Sequence, residues 1–252
     1  MPLAVNGKPF DGEISFRPFE PVVYETVRTY CGKPFMLEEH LRRLRNSARI
    51  VGIEEIPPAD LVLKTMDIAS RGIEGEVYYK VYLRPSRDLI VEAAPAPEDL
   101  VIADLEFSPF RRSKVIPPQL KVIGRTDVLL ARIHKRTYDV LMLSEDGYLA
   151  EGSFSNVFLV KGERIITPSL ETGILSGITR EVVLRIVRES GFEVEERFVF
   201  PWEVFESDEI FLTHTSRGIV PVSRVEWKEF EAPGDVTKKL RELFERSVMA
   251  EC

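Results

Sequence analysis

Hydrophobic and polar positions alternate along the chain with two different periods, and the two kinds of segment follow each other in mixed order. Runs rich in β-branched and aromatic residues predict strands over 14–30, 76–85, 89–94, 141–144, 156–160 and 210–213. Apolar residues at helical spacing predict helices over 37–51, 59–70, 127–135, 176–190 and 235–249. This mixed order in two halves predicts an α+β fold.

Two of the predicted helices carry specific expectations. In the helix over 127–135, Val128, Leu129 and Ile133 are expected to face the protein interior. The helix that begins near 176 is expected to be capped by the Ser176 hydroxyl and stopped by Gly191.

Prolines punctuate the middle of the chain. The segment 111–118, Arg-Arg-Ser-Lys-Val-Ile-Pro-Pro, combines positive charge with two prolines and is the best candidate for a linker. The 252 residues suffice for two modest domains or one large one. The sequence therefore predicts an N-terminal domain over 1–115 and a C-terminal domain over 116–252.

Composition excludes several classes of function. The chain is 44% hydrophobic and 30% charged, which is typical of a globular protein. Its net charge is -7 and it has no long basic run, so we expect no nucleic-acid partner. Because no apolar run approaches about 20 residues and the start lacks a signal-peptide pattern, we expect a cytoplasmic protein with no membrane partner.

The cysteines and histidines do not predict a metal site. The chain has two cysteines, Cys31 and Cys252, and three histidines, His40, His134 and His214. They are scattered and do not make a zinc site, so no metal is expected. The two cysteines are interpreted as free thiols in a reducing cytosol.

Two residues are candidates for chemistry. Lys121 lies in the apolar run Leu120-Lys121-Val122-Ile123, and a lysine in such surroundings is costly unless it loses its charge or reacts. Glu151 opens a small-residue loop between two predicted strands, where a carboxylate can bind a ligand. Each also has an ordinary explanation, because Lys121 could extend its amine to water from an edge strand and Glu151 could be solvated.

Together these residues favour a site for pyridoxal phosphate. This cofactor needs a lysine for its aldehyde, an acid beside its pyridine nitrogen, and an arginine and helix-start N–H groups for its phosphate. Arg43 lies in a polar stripe on the helix over 37–51 and can serve the phosphate. The helix start at 176–179, Ser-Gly-Ile-Thr, supplies the N–H groups.

The same residues lie in blocks that resemble the class IV aminotransferases, the fold-type IV pyridoxal-phosphate enzymes. That family includes branched-chain aminotransferases, D-amino acid aminotransferases and aminodeoxychorismate lyase. The matching blocks are 24–28, 40–44 with 47–48, 120–121, 151–158, 173–180 and 215–222, and those at Glu151 and Gly173 are the specific ones. The resemblance implies a small N-terminal α/β domain, a larger C-terminal pseudo-barrel domain and a homodimer.

The resemblance also implies a role for each matching residue. Lys121 is expected to be the catalytic residue that bonds the cofactor and moves the proton at the substrate Cα, and Glu151 is expected to hold the pyridinium nitrogen. The expected phosphate ligands are Arg43, the N–H groups of Ile178 and Thr179, and the hydroxyls of Thr179 and Thr215. The expected substrate contacts are Tyr24, Tyr82, Arg84 and the turn at Thr215-Ser216.

The chain departs from the family pattern in several places, among them a segment between Lys121 and Glu151 that is a few residues short. Phe19-Glu20-Pro21 stands where the family has Gly-Asp-Gly, and Gly124-Arg125-Thr126 stands where branched-chain enzymes place a tyrosine. Arg125 is more like the lyase, whereas Tyr82-Leu83-Arg84-Pro85 is similar to the substrate block of branched-chain enzymes.

Three functions follow, in order of preference. The first is an aminotransferase acting between an aliphatic or branched-chain L-amino acid and 2-oxoglutarate, whose second carboxylate Arg84 would bind. The second is a lyase that converts aminodeoxychorismate to pyruvate and 4-aminobenzoate. The third is a cofactor-free binding protein on the same fold, against which the presence of both Lys121 and Glu151 argues.

Overall fold

A computed structural model describes residues 2–17, 20–133, 135–250 and 252, so that Phe19 and His134 lie outside the described residues. The chain forms two compact units. Unit 1 comprises Met1–Pro97, Gln119–Ile123 and Cys252, and unit 2 comprises Glu98–Pro118 and Gly124–Glu251. The predicted domains 1–115 and 116–252 stay a prediction, and the compact units differ from them because 98–115 joins the second unit while 119–123 joins the first.

Unit 1 is, in its described residues, an antiparallel sheet with two helices. Its elements are β1 (Leu3–Val5), β2 (Lys8–Phe10), β3 (Val23–Tyr30), β4 (Lys33–Pro34), α1 (Leu37–Ile50), α2 (Ala59–Ala69), β5 (Val77–Leu83) and β6 (Leu89–Pro95). The sheet order is β2-β1-β6-β5-β3-β4. Alternate residues of β3 are buried, as expected for a strand with one face packed on a core, and α1 contacts β3 while α2 contacts β6.

The segment 119–123 is fixed on the sheet and helix of unit 1. The Tyr24 N–H donates to the Lys121 carbonyl at 3.0 Å, and the Ile123 N–H donates to the Val22 carbonyl at 2.9 Å. The Ser47 hydroxyl of α1 accepts from the Lys121 N–H and donates to the Gln119 carbonyl, each at 3.1 Å. The backbone of Lys121 is thus held by both β3 and α1.

Unit 2 is built, over the part of it that the structure describes, on a nine-stranded sheet with four helices. Its elements are β7 (Ala103–Phe107), α3 (Thr126–Arg132), β8 (Asp139–Leu143), β9 (Leu149–Gly152), β10 (Asn156–Lys161), β11 (Arg164–Pro168), α4 (Ile178–Glu189), β12 (Glu193–Arg197), α5 (Glu203–Glu206), β13 (Glu209–His214), β14 (Gly218–Val225), β15 (Lys228–Glu229) and α6 (Asp235–Ala250).

The sheet of unit 2 curls. Its order is β12-β11-β10-β13-β14-β7-β8-β9, with β15 on β14. A turn of three residues joins β9 at one end of this order to β10 near the other end, so the sheet has to bend back on itself. The predicted α+β fold is confirmed, and the curled sheet agrees with the pseudo-barrel that the resemblance implies.

The predicted inward face of the third helix is wrong in part. Leu129 and Ile133 are 62% and 51% exposed, while Val128 packs with the fully buried Ala131 against β8. The reason is that α3 ends at Arg132 and buries only the narrow face formed by positions 128 and 131.

The two cysteines form a disulfide, so the prediction of free thiols is wrong. Cys31 and Cys252 are bonded with a Cα–Cα distance of 5.8 Å and a sequence separation of 221. Cys31 follows β3 in the turn to β4 and has a positive φ of 49°. No local pattern indicates that the last residue of the chain returns to this turn.

Candidate active site

Lys121 and two of the predicted substrate residues lie together in unit 1. The Lys121 Nζ lies 4.8 Å from the centroid of the Tyr24 ring, a cation–π contact. Tyr24 pairs with Tyr82 across β3 and β5, and their ring centroids are 6.2 Å apart. Among the described residues, no carboxylate lies within salt-bridge distance of the lysine amine.

Tyr82 has a fixed hydroxyl on an apolar face. It packs with Val22 and Ile90, and its hydroxyl donates to Glu92 Oε2 at 2.7 Å. Burial and then the neighbouring Glu92 carboxylate raise the pKa of Tyr82 above its usual range. The hydroxyl therefore stays protonated and remains a donor at neutral pH.

Arg43 is held by a buried acidic partner. Its Nε and Nη2 donate to the two oxygens of Glu25 at 2.6 and 2.8 Å, and His40 Nδ1 lies 2.8 Å from Glu25 Oε2. Burial alone would raise the pKa of Glu25, but Arg43 and His40 together hold it well below its usual range. Burial lowers the pKa of His40, so the cluster carries a charged pair and a neutral imidazole at pH 7.

Arg84 also meets a carboxylate of its own chain. Its Nε and Nη2 donate to Glu20 Oε1 and Oε2 at 2.8 and 2.9 Å, a bidentate pair. This hydrogen bonding lowers the pKa of Glu20 and raises the pKa of Arg84. Glu20 belongs to the tripeptide that departs from the family pattern.

Glu151 is buried at the end of β9 in unit 2. Its Oε1 lies 2.6 Å from Arg112 Nη2, and both side chains are less than a tenth exposed. Its Oε2 accepts from the Asn156 amide and from the Leu175 N–H, each at 3.1 Å. The carboxylate is therefore held from three directions, and the arginine favours its charged form.

A second buried carboxylate shapes the turn after Glu151. Asp139 accepts from the Ser153 N–H at 2.9 Å and from the Ser155 hydroxyl at 2.6 Å. A Cβ at Gly152 would lie 2.3 Å from Asp139 Oδ2, so only glycine fits there. Burial raises the pKa of Asp139 despite these donors. Asp139 thus fixes the loop whose two ends carry Glu151 and Asn156.

The start of α4 has no side-chain cap. Gly177 is the N-cap residue, and the Ser176 hydroxyl contacts Glu181 Oε1 at 3.4 Å instead of capping the first turn, so the predicted cap is wrong. In the described part of the chain, the N–H groups of Ile178 and Thr179 have no hydrogen-bond partner. A Cβ at Gly177 would lie 2.0 Å from Asn156 Oδ1, so Asn156 packs directly under this helix start.

The predicted turn at Thr215 and Ser216 joins β13 to β14. Ser216 Oγ lies 2.9 Å from His214 Nδ1, and His214 Nε2 lies 2.7 Å from the Tyr138 hydroxyl. Burial raises the pKa of Tyr138 to about 12, so this hydroxyl is protonated at neutral pH. Unit 2 therefore carries Glu151, Ile178, Thr179, Thr215 and Ser216, and unit 1 carries the other five predicted residues.

Sequence reasoning missed four of the partners that hold these groups. They are Glu20, Glu25, Arg112 and Asn156. Arg112 was assigned to the linker 111–118, but it is 5% exposed and its N–H donates to the Leu143 carbonyl at 2.8 Å. Only Glu25 carried a usable signal, because its position in a strand with alternating apolar residues predicts a buried carboxylate.

Within the described residues, none of the helices combines the length and apolar character that crossing a membrane requires. In the same residues, no group of three or more His, Cys, Asp or Glu side chains could hold a metal ion.

Comparison with known proteins identifies the family. Residues 22–225 match the model of the class IV aminotransferases. A relative from Thermotoga maritima, named "Probable branched-chain-amino-acid aminotransferase", is 45% identical over 239 residues, which are 90% of this chain and 86% of the relative.

Solved structures agree with this match. A Thermotoga maritima protein superposes with a TM-score of 0.88 at 40% identity and covers 98% of this chain and 96% of its own. A branched-chain amino acid aminotransferase solved in complex with N-(5'-phosphopyridoxyl)-L-glutamate gives a TM-score of 0.87 at 27% identity and covers 100% of this chain and 95% of its own. The chain belongs to the class IV aminotransferases.

Proposed function

We propose that this protein is a pyridoxal-phosphate-dependent aminotransferase that moves an amino group between an aliphatic, branched-chain L-amino acid and 2-oxoglutarate. The observation that carries the proposal is the buried Glu151 carboxylate, held by Arg112 and Asn156 in the same unit as the uncapped start of α4. The names of the relatives support the choice of substrates.

The donor set fits the cofactor. A helix start with unpartnered N–H groups suits a phosphate, and a charged buried carboxylate suits a pyridinium nitrogen. We assign the phosphate to Arg43, Ile178, Thr179 and Thr215, and the ring nitrogen to Glu151. When bound, pyridoxal phosphate supplies an electron sink for the charge that develops at the substrate Cα.

Lys121 is assigned the proton transfer at the substrate Cα. A lysine amine acts as a base only in its neutral form. The backbone of Lys121 is fixed by the Ser47 hydroxyl and by the Tyr24 N–H. These contacts hold the lysine in position for that transfer.

The carboxylate of Glu151 keeps a proton on the ring nitrogen, because a charged acceptor favours the protonated partner. Arg112 and Asn156 orient that carboxylate. Glu25 likewise fixes the guanidinium of Arg43, so that this side chain is ordered before an anion arrives.

The substrate contacts are assigned to Tyr24, Tyr82, Arg84 and Ser216. The two tyrosine rings and the apolar cluster around Tyr82 suit an aliphatic side chain. Arg84 suits the second carboxylate of glutamate or 2-oxoglutarate, and Ser216 supplies a hydroxyl to the substrate carboxylate.

The test is a direct assay of the purified protein with pyridoxal phosphate. Leucine with 2-oxoglutarate is expected to yield glutamate and 4-methyl-2-oxopentanoate. The same protein given aminodeoxychorismate is expected to release no pyruvate. Pyruvate with 4-aminobenzoate, and no glutamate in the first reaction, would assign the lyase function instead.

The assembly is proposed on the family resemblance, and the location on the sequence pattern. We propose a homodimer in the cytoplasm. Light scattering of the purified protein is expected to give twice the mass of 28.8 kDa. A monomer mass at micromolar concentration would contradict the dimer.

A further inference from the structure

Arg84 and Glu20 form a bidentate salt bridge within unit 1. The Nε and Nη2 groups of Arg84 donate to the two Glu20 oxygens at 2.8 and 2.9 Å. The Arg84 side chain is 21% exposed and the Glu20 side chain is 11% exposed. This is the fork geometry by which arginine binds any carboxylate. Glu20 therefore fills the position that a carboxylate ligand of Arg84 would take.

The pair is close in sequence to one of the tyrosines assigned to the substrate. Arg84 comes directly after β5, two residues beyond Tyr82. The Arg84 N–H donates to the Asp88 carbonyl at 3.1 Å and the Arg84 carbonyl accepts from the Arg87 N–H at 2.8 Å, so the backbone of Arg84 is fixed in the turn to β6.

We propose that Glu20 determines substrate specificity by occupying Arg84 as a built-in carboxylate that competes with the second carboxylate of a dicarboxylic substrate. An aliphatic substrate leaves the pair undisturbed, whereas glutamate or 2-oxoglutarate has to displace Glu20. The inference rests on the proposed function for the assignment of Arg84 to the substrate side chain.

The physical basis is the charge balance at Arg84. The hydrogen bond from Arg84 lowers the pKa of Glu20, so Glu20 is charged at neutral pH. A second carboxylate arriving at the same guanidinium meets either repulsion from Glu20 or the loss of the existing pair. Either event weakens binding of a dicarboxylate and leaves binding of a monocarboxylate unchanged.

The experiment compares the wild type with Glu20→Gln, which keeps the size of the side chain and removes its charge. Glutarate and 4-methylpentanoate are titrated into the pyridoxal-phosphate-loaded proteins by calorimetry. In E20Q, glutarate is expected to bind about threefold to tenfold more tightly, and 4-methylpentanoate is expected to bind equally well. The matched control is Glu55→Gln, which removes a carboxylate that pairs with the exposed Arg87 in the same unit and should change neither affinity.

Two results would overturn the inference. Equal glutarate affinity in the wild type and E20Q would mean that Glu20 does not compete, and weaker binding in E20Q would mean that Glu20 only positions Arg84. Steady-state kinetics with 2-oxoglutarate measure the transaminase activity of the wild type, and this tests the proposed function separately from the competition. Tighter glutarate binding in E20Q without any transaminase activity in the wild type would support the competition and refute the proposed function.

Discussion

Arg112 Nη2 lies 2.6 Å from Glu151 Oε1, and the two side chains are 6% and 7% exposed. Removing one partner of such a buried ion pair is costly, because the remaining charge is left without a partner and without solvent. Glu151 therefore depends on Arg112 for the position of its carboxylate.

We predict that Arg112→Met destabilises the protein by about 3–5 kcal/mol and weakens pyridoxal-phosphate binding, because the buried Glu151 carboxylate loses its ion-pair partner and reorients. Thermal unfolding and cofactor titration by absorbance measure the two effects. Arg111→Met is the control, since Arg111 is exposed and donates to the Glu145 carbonyl at the surface. Equal stability and equal cofactor affinity in the two variants would refute the dependence.

Gly177→Ala is expected to weaken the cofactor's phosphate site. The φ of Gly177 is -74°, which alanine adopts freely, so the effect comes from close contacts, above all the 2.0 Å approach of the new Cβ to Asn156 Oδ1. Displacement of Asn156 also removes a donor from Glu151. The dissociation constant of pyridoxal phosphate is expected to rise about tenfold or more. Ser176→Ala, one residue earlier and on an exposed contact, is the comparison, and a similar loss in both variants would count against Asn156 as the link.

The buried ion pair between Glu25 and Arg43 predicts a loss of stability in acid. The pKa of Glu25 is held well below its ordinary value in the folded protein. Its contribution is therefore fully present above the ordinary glutamate pKa of about 4.3 and is lost as the pH falls. Glu25→Gln should cost about 3 kcal/mol at pH 7. The difference in the free energy of unfolding between the wild type and the variant should shrink as the pH is lowered toward about 3.

Urea unfolding at several pH values, followed by circular dichroism, measures this dependence. Asp67→Asn removes an exposed helix pair with Arg71 and should cost less than about 0.5 kcal/mol at any pH. A difference between the wild type and E25Q that is the same at pH 7 and in acid would show that the pair contributes through packing and not through charge.

The disulfide is expected to stabilise unit 1. It connects positions 221 residues apart, so it restricts the unfolded chain strongly. Cys31→Ser should lower stability by about 2–4 kcal/mol, and Cys252→Ser should have the same effect without adding to it. A reductant should lower the melting temperature of the wild type only. Two titratable thiols in the native oxidised protein would contradict the bond.

The elements and the family could be predicted well from the sequence, because both depend on local periodicity and short blocks. The helix predicted over 37–51 runs from Leu37 to Ile50, and the strand predicted over 156–160 runs from Asn156 to Lys161. The resemblance to class IV aminotransferases is confirmed. The exposed Leu129 and Ile133 show the limit, since the face that α3 buries depends on where β8 lies.

The partners of the charged residues could not be read from the sequence. Glu20 lies 64 residues from Arg84, and Arg112 lies 39 residues before Glu151, so no local pattern connects them. The same holds for Cys31 and Cys252. Long-range pairs of this kind are set by the topology of the sheets, which periodicity alone does not specify.

Lys121 is central to the proposed chemistry as the residue that bonds the cofactor, and borohydride reduction of the pyridoxal-phosphate-loaded protein tests this role most directly. Reduction fixes the link, and peptide mapping then identifies the labelled lysine. We predict a phosphopyridoxyl label on Lys121 and none in Lys121→Ala. A label on Lys80, Lys114 or any other lysine of the wild type would contradict the assignment.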